Sequence, residues 1–264
     1  SQNSYYSFQR HTYRYYPGSL PAKNEGEGGQ AYRAEFHEFS LSSENTLSYK
    51  LETKSGHNID ALAGFTAYRY KSDNFTLSGQ GYMDDDVLWN NMNAVTDKET
   101  YSAATGLTKR TKMSLLARFN YNYKQRYYLT VTGRYDGSSK FPANSQWGFF
   151  PSASVGWRLS EEPWLKPHVE GWLDNFKIRL SAGSMGNGNI DPYKYIDYMT
   201  LKSSTVVIGN ALGTYTVAPG AIPLSLTWET STTYDVGADL DLFKNRLTMG
   251  FDWYRRYTTD MYTV

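Results

Sequence analysis

Apolar and polar residues alternate along much of the chain. From Leu115, one set of positions reads Leu115, Ala117, Phe119, Tyr121 and Tyr123, and the interleaved set reads Leu116, Arg118, Asn120, Asn122 and Lys124. Leu129, Val131 and Tyr135 alternate with Thr130, Thr132 and Arg134, and Phe176, Ile178, Leu180 and Ala182 with Lys177, Arg179, Ser181 and Gly183. Near the end, Tyr234, Val236, Ala238, Leu240 and Leu242 oppose Thr233, Asp235, Gly237, Asp239 and Asp241. Leu247, Met249, Phe251 and Trp253 oppose Thr248, Gly250 and Asp252. A period of two sends successive side chains to opposite faces of a strand, so each run has one apolar and one polar face. The runs last about 9–11 residues, which is what a tilted strand needs to cross a bilayer, whereas soluble strands are usually about 5–6. Lipid on one side and water on the other explains both faces, because Lys or Arg at the bilayer midplane costs about 2–4 kcal/mol. A large soluble sandwich would also alternate, with its core in place of lipid. Run length favours the barrel.

The pattern predicts up to about eleven strands, at 5–16, 30–41, 44–53, 57–70, 73–82, 113–123, 126–135, 150–160, 175–184, 230–241 and 246–257. Short turns are expected at Ser42-Ser43, Lys71-Ser72, Lys124-Gln125 and Phe243-Lys244-Asn245, and long loops at 17–29, 83–112, 136–149 and 185–229. Counted in chain order, these long loops are odd and these short turns even, as in a barrel with loops on one side of a membrane and turns on the other. Two connections break the rule. The link at 54–56 is short where a loop is due, and 161–174 is long where a turn is due. Within the latter, Pro163 is placed to start a short helical turn, and Asn24-Glu25-Gly26-Glu27-Gly28-Gly29 reads as a loop tip.

Composition sharpens this picture. The chain carries Tyr 24, Phe 12 and Trp 7, aromatics being 16% of the total, while mean hydropathy is only −0.61. So many rings in a polar chain suit the aromatic girdles at the two interfaces of a membrane barrel. A net charge of +1 gives no reason to expect nucleic acid as a partner. With no cysteine, disulfides and thiolate metal sites are excluded. No run approaches the length of a membrane-spanning helix, which leaves a barrel open because its apolar residues alternate. Ser1-Gln2-Asn3-Ser4 shows no signal-peptide character, as expected of a mature chain or an internal piece.

Chemistry is sparse. Asp84-Asp85-Asp86 offers hard oxygen ligands without EF-hand spacing and reads more simply as a solvated acidic loop. His11, His37, His57 and His168 are far apart and form no zinc-type pair. Gly183-Ser184-Met185-Gly186-Asn187-Gly188-Asn189 lacks both the G-x-G-x-x-G pattern and a Walker lysine. No Ser, His and Asp can be matched as a triad, and Glu161 with Glu162 cannot be assigned acid and base roles. No enzyme activity, catalytic residue, metal or cofactor is expected. The loop residues Trp89, Asn90 and Asn91, Trp147 beside Gln146, and Tyr193 with Tyr195 could stack on and hydrogen-bond a sugar or peptide. Packing within the loops is the simpler explanation of each.

Several ordered blocks resemble the SusC/RagA family of TonB-dependent outer-membrane transporters. Gly133-Arg134-Tyr135-Asp136-Gly137-Ser138-Ser139-Lys140-Phe141 is similar to its RxDGSSRF signature, with Lys140 in place of the arginine. Trp147-Gly148-Phe149-Phe150-Pro151-Ser152-Ala153-Ser154-Val155-Gly156-Trp157-Arg158-Leu159-Ser160-Glu161-Glu162 resembles WGxFPSxSxGWRxSEE. Leu173 to Gly183 looks like the next strand, Gly186-Asn187-Gly188-Asn189-Ile190 like GNxxI, and Leu226-Thr227-Trp228-Glu229-Thr230-Ser231 like LxWETS. Asp235-Val236-Gly237 and Leu242-Phe243-Lys244-Asn245-Arg246-Leu247 continue in order, His57 to Gly64 also resembles the family, and residues 1–55 match loosely.

The resemblance implies an all-β, antiparallel transmembrane barrel of about 22 strands with a plugged lumen, residues 1–264 supplying part of it. It also implies nutrient uptake across the bacterial outer membrane, a SusD-like surface lipoprotein as lid, energisation by TonB, and oligosaccharide or peptide cargo. The family's plug domain, TonB box and last strands have no counterpart here, so a longer polypeptide is expected. A surface adhesin or binding module is the alternative. On the barrel reading Arg118, Arg134, Arg179 and Asp239 face the lumen, and Phe119, Leu180 and Phe251 face lipid.

Overall fold

The computed structural model describes residues 1–17, 29–196, 200–208, 211–217 and 226–261. The expected tip at 24–28 lies outside them. Nine strands form one sheet in the order β1-β2-β3-β4-β5-β6-β7-β10-β11. They are β1 (Gln2–Tyr16), β2 (Gly29–Glu52), β3 (His57–Tyr82), β4 (Asp97–Tyr123), β5 (Tyr127–Ser138), β6 (Trp147–Arg158), β7 (Leu173–Asn187), β10 (Glu229–Leu242) and β11 (Leu247–Thr259). β8 (Thr200–Ile208) and β9 (Ala211–Val217) pair with each other as a separate two-stranded sheet. Short 3-10 turns at Asp85–Val87, Met92–Ala94 and Leu159–Glu161 and one helical turn, α1 (Lys166–Val169), complete the described elements.

Three expectations need correction. Ser42-Ser43 and Lys71-Ser72 are not turns, because β2 and β3 run straight through them. Hairpin turns need backbone with positive φ, found here at Gly56, Lys124, Gln125, Phe243, Lys244 and Asn245 but at none of those four residues. The alternation of apolar residues merely lapses there. Second, 83–112 is not one loop, since β4 begins at Asp97. In its first half Tyr101, Ala103 and Leu107 share one face, but Glu99, Thr105 and Lys109 interrupt them there, so the hydrophobic period is too broken to read. The loop expected at 185–229 likewise contains β8 and β9. Third, Pro167, and not Pro163, lies in the first turn of α1.

With two supposed turns removed, the link between β2 and β3 becomes an even connection, and its shortness is no longer an exception. The links after β2, β4 and β10 are tight, whereas those after β1, β3, β5 and β7 are longer. Only the connection 159–172 remains long on the turn side.

The chain divides into two compact units. The first comprises Ser1, Glu44–Ala67 and Lys112–Val264. In it β4 to β7, β10 and β11 are in continuous antiparallel register. One transverse row reads Tyr121, Leu129, Val155, Leu180, Val236 and Trp253, and the adjoining row reads Asn120, Thr130, Ser154, Ser181, Asp235 and Tyr254. Pairing thus aligns apolar with apolar and polar with polar across six strands, as register must where one face meets an apolar phase. The apolar row is uncovered, with Leu180 48% and Trp253 54% exposed.

The second unit comprises Gln2–Ser43 and Tyr68–Thr111. Its small core is Ala31, Tyr82 and Val95, packed by Tyr15, Trp89 and Met92. The connection 83–96 supplies Trp89, Met92 and Val95, so it lies over one face of this unit's sheet.

Candidate functional site

Alternation alone gives the first unit a polar face, and glycines shape it. Arg179 on β7 lies opposite Gly156 of β6 and Gly237 of β10. Its guanidinium donates to both oxygens of Asp239, Nε to Oδ2 at 2.9 Å and Nη2 to Oδ1 at 2.9 Å, and Nη2 also reaches Asp252 Oδ1 of β11 at 2.9 Å. A β-carbon at Gly237 would sit 2.5 Å from Asp252 Oδ1 and 2.8 Å from Arg179 Nη2, so the fork crosses β10 only because residue 237 has no side chain. Toward the turn side, Arg158 Nε donates to Asn175 Oδ1 at 2.8 Å, and Asn175 Nδ2 donates to Asp241 Oδ2 at 3.0 Å. Lys177 lies 4.3 Å from the centroid of Tyr128. These residues line a concavity of about 600 Å³ with Asp239 and Asp241. Asp239 is paired with Arg179, Asp241 accepts from Asn175, and Asp174 Oδ2 accepts from the Asn245 amide at 2.9 Å. The wall therefore offers hydrogen bonds and charges of both signs.

At the loop end, four blocks that are far apart in sequence meet. Phe141 is fully buried and packs on Trp228 with centroids 4.6 Å apart, and Phe150 meets the same indole edge-on at 5.6 Å. Trp228 Nε1 donates to the carbonyl of Gln146 at 3.2 Å. Glycine makes room again. A β-carbon at Gly186 would lie 1.9 Å from Phe150 Cζ, and one at Gly188 would lie 2.9 Å from Trp228 Cζ3. Lys140 and Leu226 are buried beside this knot in sequence. It ties loop 139–146 to the start of β10.

At the turn end, Glu162 does the equivalent work. Its Oε1 accepts from Tyr127 Oη at 2.6 Å and Trp157 Nε1 at 2.9 Å, and Arg126 lies 3.8 Å from Oε2. The bond from Tyr127, then that from Trp157, holds the Glu162 carboxyl below the usual carboxylate range. Glu161 is held low chiefly by the Lys166 ammonium, whose Nζ donates to Oε2 at 2.8 Å. These two carboxylates anchor connection 159–172.

The loop residues singled out from sequence fall in both compact units. Trp89 is half-buried and stacks on Tyr13 at 5.8 Å. Asn90 and Asn91 are exposed, and Asn91 Oδ1 accepts from the Asn93 amide at 3.1 Å. Trp147 begins β6 and stacks on Tyr135 at 4.9 Å. Tyr193, at φ 68, and Tyr195 share one tight turn, 192–195. Asp84 and Asp85 are engaged, the first capping the Asp86 amide at 2.9 Å and the second accepting from Tyr15 at 2.6 Å. No cluster of metal-ligating side chains occurs among the described residues. The knot and the Glu162 clamp were not anticipated as groupings, although each contains residues of the resemblance blocks.

A two-faced antiparallel sheet with an uncovered apolar side, a charged side, and loops and turns at opposite ends is the wall of a β-barrel. The whole chain, residues 1–264, matches the family model described as TonB dependent receptor-like, beta-barrel, and the chain belongs to that family. It is 30% identical over 236 residues to TonB-dependent receptor P3 of Formosa agariphila, covering 89% of this chain and 23% of that protein. It is also 30% identical over 234 residues to TonB-dependent receptor SusC of Bacteroides thetaiotaomicron, covering 85% of this chain and 22% of that protein. Among solved structures, the RagAB peptide transporter superposes with a TM-score of 0.79 at 23% identity, over 98% of this chain and 28% of that one. The chain therefore spans less than a quarter of the curated relatives it matches.

Proposed function

We propose that this chain forms part of the barrel wall of an outer-membrane transporter that takes up oligosaccharides or peptides, driven by TonB and covered by a SusD-like surface lipoprotein. The observation that supports this best is the pair of aligned rows, apolar beside polar, running unbroken across six strands. A wall of that kind separates lipid from a water-filled passage. The charges around Arg179 then line the passage, pairing with one another and with a plug, and perform no chemistry. The loop-side connections meet cargo and lid. Trp89, Asn90, Asn91, Tyr193 and Tyr195 are the proposed cargo contacts. Trp147, which stacks on Tyr135 and remains exposed, is proposed with them.

The test is the native polypeptide in detergent-extracted outer membranes, detected with an antibody to a loop peptide. A band several times heavier than the 30.1 kDa of this chain, with cargo accumulation that stops when TonB is deleted, is expected. A self-contained band near 30.1 kDa that binds ligand without accumulating it would replace transport with a surface binding module. Exchanging 197–225 for a short linker is expected to abolish lid association or uptake, and retention of both would remove that loop from the mechanism.

A further inference from the structure

The sheet of the second unit has one face covered by connection 83–96 and another face left open. On the covered side lie the odd positions Tyr13, Tyr15 and Ala31 with Trp89 and Val95. Strand alternation sends the even positions to the opposite side, and there the chain sets out a regular arrangement. Arg10 lies over the ring of Phe36 at 5.6 Å, and Arg14 over the ring of Tyr32 at 5.8 Å. Two concavities of about 280 and 250 Å³ adjoin and share Arg14 and Tyr32. Beside the arginines, β3 contributes Asn74 and Thr76 to the first, and Ser78 and Gln80 to the second.

Neither arginine has a carboxylate partner among the described residues. Glu35 is the one acid among the lining residues, and it is occupied by Arg33 at 3.1 Å with His11 at 3.7 Å. A guanidinium laid over a ring keeps its N–H edge free, and that edge fits a planar carboxylate in a bidentate manner. The aromatic faces themselves are covered by the guanidinium groups, so stacking of a neutral sugar ring is not what these positions offer. The two arginines are four strand residues apart, about 13 Å; both line the first concavity, Arg14 also lines the second, and both concavities are fringed by hydroxyls and amides. That repetition suits a ligand whose acidic unit itself repeats.

We infer that this open face binds an acidic oligosaccharide, with Arg10 and Arg14 each receiving a sugar carboxylate and Asn74, Thr76, Ser78 and Gln80 receiving hydroxyls. This rests on the uptake reading above and narrows its cargo to polyanionic glycans.

The test is calorimetric titration of the full-length transporter in detergent with oligogalacturonate, a neutral oligosaccharide of equal length, and oligoglutamate. Oligogalacturonate is expected to bind at least about tenfold more tightly than the neutral sugar, and Arg10→Gln or Arg14→Gln to weaken it about tenfold while leaving any neutral binding unchanged. Both arginines are exposed, and unchanged heat-modifiable migration of each variant confirms folding. Equal affinity for acidic and neutral sugars would overturn the inference, as would an Arg10→Gln/Arg14→Gln double variant that binds oligogalacturonate normally. Tighter binding of oligoglutamate would overturn it in favour of acidic peptide. Binding to purified protein needs no transport, so TonB-dependent accumulation of a different cargo would leave the uptake reading standing alone.

Discussion

Replacing Leu180 by arginine, and separately replacing its neighbour Ser181 by arginine, sets the two faces of one strand against each other. Leu180 is the central residue of β7 and is flanked by Val155 and Val236 in the apolar row. Its side chain has no polar partner in that row. A guanidinium there would face hydrocarbon near the midplane, at a cost of about 2–4 kcal/mol, which reduces the folded-to-unfolded ratio roughly 30- to 700-fold. Ser181 lies one residue on, between Ser154 and Asp235 in the polar row. An arginine at that position faces water and a carboxylate on the adjacent strand, so the expected change stays within about 0.5 kcal/mol. The assay is reversible urea unfolding of the full-length protein in lipid vesicles, with heat-modifiable migration as a second readout of the folded barrel. The comparison is internal because the same residue is introduced at adjacent positions. If the two variants are equally stable, or if Ser181→Arg is the worse, the assignment of lipid and water faces is wrong and the barrel reading fails with it.

Other perturbations probe the ends of the strands. Phe141→Ala empties a fully buried site against Trp228 and is expected to cost about 3–5 kcal/mol locally, seen as faster amide exchange across 138–146; unchanged exchange would mean the knot does not hold that loop. Gly237→Ala places a β-carbon 2.5 Å from Asp252 Oδ1, so the Arg179 fork should open, with a loss of about 1–3 kcal/mol in unfolding experiments that the double variant Gly237→Ala/Asp252→Ala partly restores. Glu161 and Glu162 titrate lower in the folded protein than in the unfolded chain. Their stabilisation is therefore present above the ordinary carboxylate range, near pH 4.3, and fades as pH falls through the lower folded values. Connection 159–172 should loosen below about pH 4, as read by exchange of its amides, and Glu162→Gln should lose most of that dependence. A turn equally protected at pH 3 and pH 7 would count against the clamp.

The two faces of the strands were legible from sequence because successive residues of a strand point to opposite sides and here differ in polarity. Arg179, Asp239 and Leu180 fall where the alternation puts them. The signal fades where the apolar period is broken or short. Asp97–Lys112 and the strands β8 and β9 carry backbone pairing with only fragments of such a period, so they read as loops. Polar lapses at Ser42-Ser43 and Lys71-Ser72 read as breaks for the same reason. The knot was hidden differently. Phe141, Phe150, Gly186 and Trp228 announce themselves singly, yet their meeting depends on three hydrogen-bonded registers that no local window contains. The open Arg10 and Arg14 face required knowing which side connection 83–96 covers.

β7 and β10 pair directly along nearly their whole length although 188–228 separates them, and β8 with β9 forms its own sheet inside that interval. The wall is thus indifferent to what is inserted there. Trp228 marks the point where the excursion is tied back. Upstream of it, length and sequence can drift without disturbing a single pair in the β7–β10 ladder. An interval of that kind is where mutation is cheapest, so related barrels can diverge between these two strands while keeping one architecture.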